Sequence, residues 1–414
     1  MLKKNIIGLT WIQLINYVAP IVALPLLTRT LGLHDFGLYI FYAGISNFIA
    51  ILADMGVGNI ATQRIVMANT KEEKDSYFIA IMGIKSFFLL LSIVCLFFAT
   101  KYFFSEQYNF GLFVLASAGG ASLALTPSFY YLANGDSVRL AAILSIGKVL
   151  FLVALIVLAT TGISLYAAML VTCIPALCAT FSANLIVILK IGQLKSHFSF
   201  RKTKEFLIES RVFALSNLMV WSYTASPSLL IAKYHGTESA ALYGASEKII
   251  VALKSLVGPI QQGAHPWVLS ALKDNPGLYK KRALGVLLFL TAFGLVSATF
   301  LYFYADKVLY LLGKGKLTAA HEILIIMAVL PLLTSMTGFM GNFVLIPLGL
   351  NRIYLASIAA GFFAYIVSYF ALVGQGVMGT VFSMVAAELV IVMMMGGAIL
   401  TQRRKPNHSI GARE

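Results

Sequence analysis

The chain has 414 residues, of which 59% are hydrophobic and only 11% carry a charged side chain. A soluble domain exposes charge on every face, and about a quarter of its residues are charged. The low charged fraction therefore excludes an ordinary soluble protein. The apolar residues also fall in long blocks, which is typical of membrane-spanning helices. The sequence predicts an all-α integral membrane protein.

The net charge of +15 raises the question of nucleic-acid binding. A nucleic-acid surface needs a continuous basic stripe, whereas the basic residues here lie between apolar blocks. We therefore predict no nucleic-acid partner. The three cysteines, Cys95, Cys173 and Cys178, lie inside apolar blocks without metal-ligand spacing. We interpret them as packing residues of apolar segments, with neither a disulfide framework nor a metal site.

In chain order, the apolar blocks predict about twelve helices, each long enough to cross a ~30 Å hydrocarbon core. They lie at 6–27, 36–53, 78–100, 110–132, 140–160, 165–189, 212–232, 242–263, 283–304, 323–348, 353–372 and 377–400. The first is expected to be a retained helix, because its apolar run is too long for a signal peptide and no small-residue cleavage site follows. Eight of the eleven prolines fall within these segments, where proline bends a helix.

Lysine and arginine residues set the predicted orientation. With the N-terminus inside, twenty of them fall on the cytoplasmic side and six on the opposite side, so both termini are predicted to be cytoplasmic. The longest basic loop separates two sets of six helices that have the same topology, as in parallel-repeat transporters. We predict a first lobe at 1–189, a basic cytoplasmic linker at 190–211, a second lobe at 212–400 and a cytoplasmic tail at 401–414.

Motifs for covalent chemistry are missing from the sequence. The nearest candidate for a phosphate-binding loop, Gly313-Lys-Gly-Lys-Leu-Thr318, lacks the required ending and lies in a predicted outside loop. No zinc-protease motif or nucleophile–histidine grouping is present. We predict that the protein is not an enzyme and uses no cofactor.

Charged residues inside the predicted helices are the strongest functional signal. A charge at the centre of a bilayer costs about 2.5–3.5 kcal/mol on insertion scales, so it usually faces a cavity or a partner. The basic candidates near or within helices are Arg29, Lys85, Lys148, Lys248 and Lys254, and the acidic candidates are Asp54, Glu247 and Glu388. Lys85 and Lys148 have a second interpretation, in which they extend to the lipid headgroups. The acids could couple transport to a cation or have structural roles. The excess of lysine favours an anionic substrate.

Several stretches, taken in order, resemble O-antigen (Wzx-type) flippases of the multidrug/oligosaccharidyl-lipid/polysaccharide exporter superfamily. The resemblance is carried by Gln13-x-x-Asn16-Tyr17-x-x-Pro20, Leu24-Pro25 through Gly32, Phe36-Gly37, Ala61-Thr62-Gln63, Lys85, Gly135-Asp136, Gly258-Pro259-Ile260, His265-Pro266 and Ala386-Ala387-Glu388. The drug-exporting branch typically has an acidic residue in its first helix, whereas this chain has Asn16 there. Lipid II flippases usually have two additional helices that this chain lacks.

The resemblance implies two six-helix lobes around a central lumen in the bacterial inner membrane. It also implies transport of an undecaprenyl-diphosphate-linked sugar, with a polysaccharide polymerase and a chain-length regulator as further partners. Basic lumenal residues would bind the diphosphate, and Arg29, Lys85, Lys148 and Lys248 match basic positions of the pattern. Lys254 has no counterpart there, so its candidacy depends only on its depth in the helix.

Two other functions stay open from the sequence. The first is a cation-coupled exporter of small molecules or drugs, which would depend on the carboxyl group of Glu388. The second is a membrane polysaccharide polymerase or glycosyltransferase. The short predicted outside loops favour transport over synthesis, because an enzyme that joins sugars usually has a larger outside platform.

Overall fold

The computed structural model describes residues 2–191 and 200–403, and every regular element in these two ranges is helical. The predicted all-α class is therefore confirmed. The side chains described run from Ala19 onward, with a few gaps. The predicted linker at 190–211 falls partly, and the predicted tail at 401–414 mostly, outside the described residues. The lobe boundaries stay a prediction.

The helices, numbered in chain order, are α1 (Leu2–Asp54), α2 (Val57–Met67), α3 (Lys71–Phe103), α4 (Phe110–Ala124), α5 (Ser128–Ala133), α6 (Ser137–Thr161), α7 (Leu165–Ile191), α8 (Phe200–His235), α9 (Thr237–Leu269), α10 (Ala271–Asp274), α11 (Pro276–Gly313), α12 (His321–Met327), α13 (Leu330–Phe339), α14 (Asn351–Leu372) and α15 (Val377–Arg403). A π-helical segment, Met340–Leu345, follows α13. Each predicted segment falls on one or two of these helices.

The structure joins or divides the predicted segments in three places. The first two segments belong to one helical element, α1, which is interrupted at Gly32, where φ is 76°. Glycine adopts this left-handed conformation without a steric cost. The segment predicted at 110–132 is divided into α4, which ends at Ala124, and α5, which begins at Ser128. Pro127 lies between them and has no N–H to continue the helix. The segment predicted at 323–348 is divided into α12, α13 and the π-helical segment.

The length and hydropathy of the helices support a membrane location. Within the part of the chain that the structure describes, nine helices have the length and hydropathy to cross a membrane. Helices α8 and α9 are less apolar overall and are not among them. Large apolar side chains such as Phe87, Leu90 and Phe98 on α3 are exposed, as expected for a surface that contacts lipid acyl chains.

The chain divides into two compact units, and the first contains residues 1–248 and 306–321. In this unit α1 packs against α3, α4, α6 and α8, and α7 packs against α4 and α6. Close helix packing depends on small residues: a Cβ placed on Gly120 of α4 would lie 2.7 Å from the Ile49 side chain of α1. A second apolar cluster, around Phe78, Ile81 and Phe129, fills the space among α2, α3, α5, α6 and α7.

The second unit contains residues 249–305 and 322–414. In this unit α14 packs extensively against α15, and α13 also packs against α15. A Cβ on Gly361 of α14 would lie 2.4 Å from Ile391 of α15, so the absence of a side chain allows the two helices to approach. The second unit is thus held by the same kind of small-residue contact.

Candidate functional site

Two of the predicted site residues, Lys85 and Asp54, are in direct contact. The Lys85 Nζ atom lies 2.7 Å from Oδ1 of Asp54. Lys85 is 3% exposed, whereas the Asp54 side chain is 37% exposed. Lys85 therefore does not extend to the headgroups, and its charge is balanced within the helix bundle. In this ion pair the lysine side chain is buried, whereas the carboxylate is partly exposed.

The Lys85 ammonium has two further partners that suit a cation. It donates a hydrogen bond of 3.1 Å to the carbonyl oxygen of Ala124, and it lies 5.4 Å from the centre of the Phe129 ring. A carboxylate, a carbonyl and an aromatic face all stabilise positive charge in a low-dielectric setting. The site therefore surrounds the Lys85 ammonium with three electron-rich partners inside an apolar bundle.

The Ala124 carbonyl is available to Lys85 because α4 ends there, before Pro127. The chain cannot continue the helical ladder there, so side chains satisfy the freed carbonyls. Thr180 of α7 donates to the Ser122 carbonyl at 2.9 Å, and Asn184 donates to the Leu125 carbonyl at 2.9 Å. Lys85 completes this set at Ala124. The break in the fourth predicted segment thus helps to position the lysine.

The position of Asp54 follows from a sharp turn at the end of α1. Met55 and Gly56 have φ values of 45° and 66°, which stops the helix and starts α2 in a new direction. The Asp54 side chain is therefore the last of its helix. Because α1 packs against α3, its carboxylate reaches Lys85 on that neighbour.

Arg29 lies on the other side of the interruption at Gly32, in the part of α1 that precedes it. Its Nε atom donates to the Leu312 carbonyl at 3.3 Å, and Nη2 donates to the Leu311 carbonyl, at the end of α11. In return, Lys316 Nζ donates to the Arg29 carbonyl at 3.0 Å, next to the interruption at Gly32. Arg29 is half-buried and caps the end of α11. A guanidinium has five N–H donors, and these two bonds use two of them.

The other predicted residues are distributed over three helices. Lys148 is half-buried on α6, and Glu247, Lys248 and Lys254 are half-buried on α9. Glu388 on α15 is 6% exposed and accepts a hydrogen bond from Thr337 Oγ1 of α13 at 3.4 Å. The structure therefore brings Lys85 and Asp54 together and places Glu388 in the second unit.

The sequence prediction did not include a polar cavity at the start of α3. It has a volume of about 350 Å³, and its lining includes Asn69, Lys71, Lys74, Asp75, Tyr130 and Asn134. Asp75 is 3% exposed although it is ionisable, and the Tyr130 hydroxyl lies 3.5 Å from its Oδ1 atom. The uninterrupted run of polar and charged residues at 69–75, just before the apolar part of α3, is the sequence signal that could have indicated it.

Comparison with known proteins identifies the fold. A structure described as the inward-facing conformation of a multidrug resistance MATE family transporter of the MOP superfamily has a TM-score of 0.74, with 16% identity, and the match covers 94% of this chain and 96% of that one. A structure of the lipid II flippase MurJ in an inward closed conformation has a TM-score of 0.75, with 14% identity over 94% of this chain and 87% of that chain. These similarities confirm the predicted fold class of about twelve transmembrane helices in two lobes. Together with the family match and the Escherichia coli relative given below, this fold makes the protein a multi-pass membrane transporter, not an enzyme.

The sequence comparisons specify the family. Residues 2–272 match the family described as "Polysaccharide biosynthesis protein", and the chain belongs to this family. It is 25% identical over 357 residues to a protein of Escherichia coli (strain K12) named "Putative O-antigen transporter", with 82% of both chains covered. The predicted resemblance to O-antigen (Wzx-type) flippases is confirmed at the level of this family.

Proposed function

We propose that this protein moves an undecaprenyl-diphosphate-linked oligosaccharide, an O-antigen or related repeat unit, from the inner to the outer leaflet of the bacterial inner membrane by alternating access. Membership in the polysaccharide biosynthesis family and the name of the Escherichia coli relative support a lipid-linked sugar as cargo. The similarity to a lipid II flippase supports a fold that can accommodate such a molecule.

The observation that carries the proposal is the buried ammonium of Lys85. A diphosphate needs cationic partners when it leaves water, because an unpaired anion in hydrocarbon is very costly. In the structure the Lys85 ammonium is paired with Asp54, whose carboxylate is partly exposed. In the proposed cycle the cargo diphosphate replaces Asp54 as the anion beside Lys85. Asp54 then acts as the resting counter-ion of an unloaded site.

The remaining basic residues extend this proposal along the path. Lys148 shares the binding of the diphosphate near the inner leaflet, Lys248 and Lys254 receive it further out, and Arg29 lies near the exit. The polyprenyl tail stays in the lipid while the sugar–diphosphate head crosses. An inside-negative membrane potential drives an anion outward by about 2.3 kcal/mol per charge per 100 mV. Transport therefore needs no nucleotide.

The proposed orientation places both termini, the linker and the end of α1 in the cytoplasm, following the excess of basic residues on that side. A reporter enzyme that is active only in the cytoplasm, fused to the C-terminus, should be active. A periplasmic reporter fused at the same point should be inactive. The reverse result would invert the proposed path.

A deletion strain tests the proposed function directly. Cells that lack the gene should accumulate lipid-linked repeat units on the inner leaflet, and expression of the wild-type chain should return them to the outer leaflet. Glycan synthesis on the inner leaflet should be unchanged. If the deletion instead altered the length of the finished polysaccharide while the units still crossed, the protein would be part of polymerisation rather than transport.

A second candidate function, cation-coupled export of small molecules, is favoured by Glu388. This carboxyl is buried and accepts a hydrogen bond from Thr337, so a proton or sodium ion that binds there would change the charge of the interior. Drug resistance on overexpression that disappears with Glu388→Gln would support this function. Unchanged drug sensitivity, together with stranded lipid-linked sugar in the deletion strain, would exclude it.

A further inference from the structure

We propose that the polar cavity at the start of α3 binds a sugar ring of the lipid-linked cargo, so that the glycan is recognised before its diphosphate reaches Lys85. This inference rests on the proposed function and names a part of its substrate site. The cavity lies among the turn between α2 and α3, the first turns of α3 and the end of α5, all within the first unit.

The size of the cavity suits one sugar ring. Its volume of about 350 Å³ lies at the lower end of the range for small-molecule sites, roughly 300–1,000 Å³. A single ring would fill it, whereas a complete oligosaccharide would extend beyond it. The cavity therefore fits the recognition of one unit within a longer chain.

The chemistry of the lining suits hydroxyl groups rather than a bare anion. Asn69 and Asn134 present amide groups, and Tyr130 adds an aromatic ring and a phenol. The Asn134 Nδ2 atom already donates to the Tyr130 carbonyl at 2.8 Å, which fixes the amide and leaves its Oδ1 atom as an acceptor. Sugar hydroxyls both donate and accept, and they match such a mixed set.

The lining contains charged groups of both signs. Lys71 and Lys74 line the cavity together with the buried carboxylate of Asp75. Lys71 also donates to the Lys190 carbonyl at 3.2 Å, so part of its hydrogen-bonding capacity is used to cap α7. The lysines can donate to sugar oxygens and a carboxylate can accept from a sugar hydroxyl, so the mixed lining suits a polar ring that both donates and accepts.

The location connects this cavity to the buried lysine. Lys74 and Lys85 lie on the same face of α3, and the eleven-residue separation corresponds to about 16 Å along the helix axis. Between them, Phe78 contacts Tyr130 at 5.1 Å and Phe129 at 6.0 Å between ring centres, and Phe129 contacts Lys85. The sugar site and the ammonium site thus belong to one continuous wall.

Binding to two lipids separates a sugar site from a phosphate site. The full-length protein in lipid nanodiscs would be titrated with undecaprenyl diphosphate and, in parallel, with the lipid-linked repeat unit purified from the deletion strain. We expect the wild type to bind the glycan-bearing lipid more tightly. The variant Asn69→Ala/Asn134→Ala should lose about tenfold in affinity for that lipid and keep its affinity for undecaprenyl diphosphate.

Asn351→Ala provides the matched control, because Asn351 is an exposed asparagine at the start of α14, far from the cavity in sequence. It should bind both lipids as the wild type does. The sugar-site proposal is overturned if the double variant loses both affinities equally or keeps both. A wild type that binds neither lipid would overturn the proposed function itself. Thermal unfolding of each variant shows whether a loss of binding is a loss of folding.

Discussion

The ammonium group of Lys85 lies 2.7 Å from the carboxylate of Asp54, and these two residues stand 31 positions apart on different helices. The contact is asymmetric, because the lysine is almost completely buried while the aspartate is partly exposed. The loss of Asp54 and the loss of Lys85 should therefore change the free energy of unfolding by different amounts.

Removal of the carboxylate should destabilise the protein more than removal of the whole pair. Asp54→Asn leaves the Lys85 ammonium buried without its counter-ion, and we expect the free energy of unfolding to fall by about 2 kcal/mol. The loss is smaller than for a fully buried pair because Asp54 is partly exposed. Asp54→Asn/Lys85→Met should recover part of it, as measured by thermal unfolding in detergent.

Glu106→Gln is the control for this experiment, since Glu106 is an exposed carboxylate in the turn between α3 and α4. It should leave the unfolding temperature unchanged. If the double variant were less stable than Asp54→Asn alone, the two side chains would not be coupled as an ion pair.

The side chains that satisfy the broken end of α4 should each contribute to stability. Thr180→Val and Asn184→Leu remove donors to the carbonyls of Ser122 and Leu125. Interhelical hydrogen bonds in membrane proteins contribute about 0.6 kcal/mol on average, so we expect a combined loss of about 1 kcal/mol. Ser182→Ala on α7 removes an exposed bond to the Cys178 carbonyl and should have little effect. Equal losses from Ser182→Ala would contradict this interpretation.

Contact between α1 and α4 should not tolerate one additional methyl group. In Gly120→Ala the new Cβ would lie 2.7 Å from Ile49 and 2.9 Å from the Ser46 carbonyl, so a helix must move. We expect a loss of about 1–3 kcal/mol from overpacking. Gly83→Ala on α3 meets nothing within 4 Å and should be neutral or slightly stabilising. Similar unfolding temperatures for the two variants would show that α1 and α4 are not in close contact.

The helices could be predicted from the sequence because hydropathy is a local property, and each predicted segment falls mainly on helical residues. The pairing of Lys85 with Asp54 could not be predicted from the sequence, because it depends on how α1 packs against α3. One interpretation of the sequence is that Lys85 extends to the lipid headgroups. The buried contact with Asp54 excludes it. The cavity around Tyr130 was missed for the same reason, since its lining residues come from separate parts of the chain.

The break at Pro127 is an intermediate case. Proline in a membrane helix predicts a bend, but its consequence depends on which neighbours satisfy the freed carbonyls. Here Lys85, Thr180 and Asn184 do so, and these residues lie on α3 and α7. Local sequence therefore indicated the bend, while the structure shows why a lysine lies beside it.

Lysines within the helices are proposed to bind the diphosphate of a lipid-linked sugar, and transport by a lysine variant tests this most directly. The deletion strain would express wild type, Lys85→Ala/Lys148→Ala or the exposed-lysine control Lys280→Ala/Lys281→Ala at matched amounts in the membrane. The measurement is the fraction of lipid-linked repeat units that reach the outer leaflet. We predict at least a roughly tenfold fall in the transport rate, equivalent to about 1.4 kcal/mol, for the buried-lysine variant alone. Transport at the wild-type rate by that variant would contradict the account.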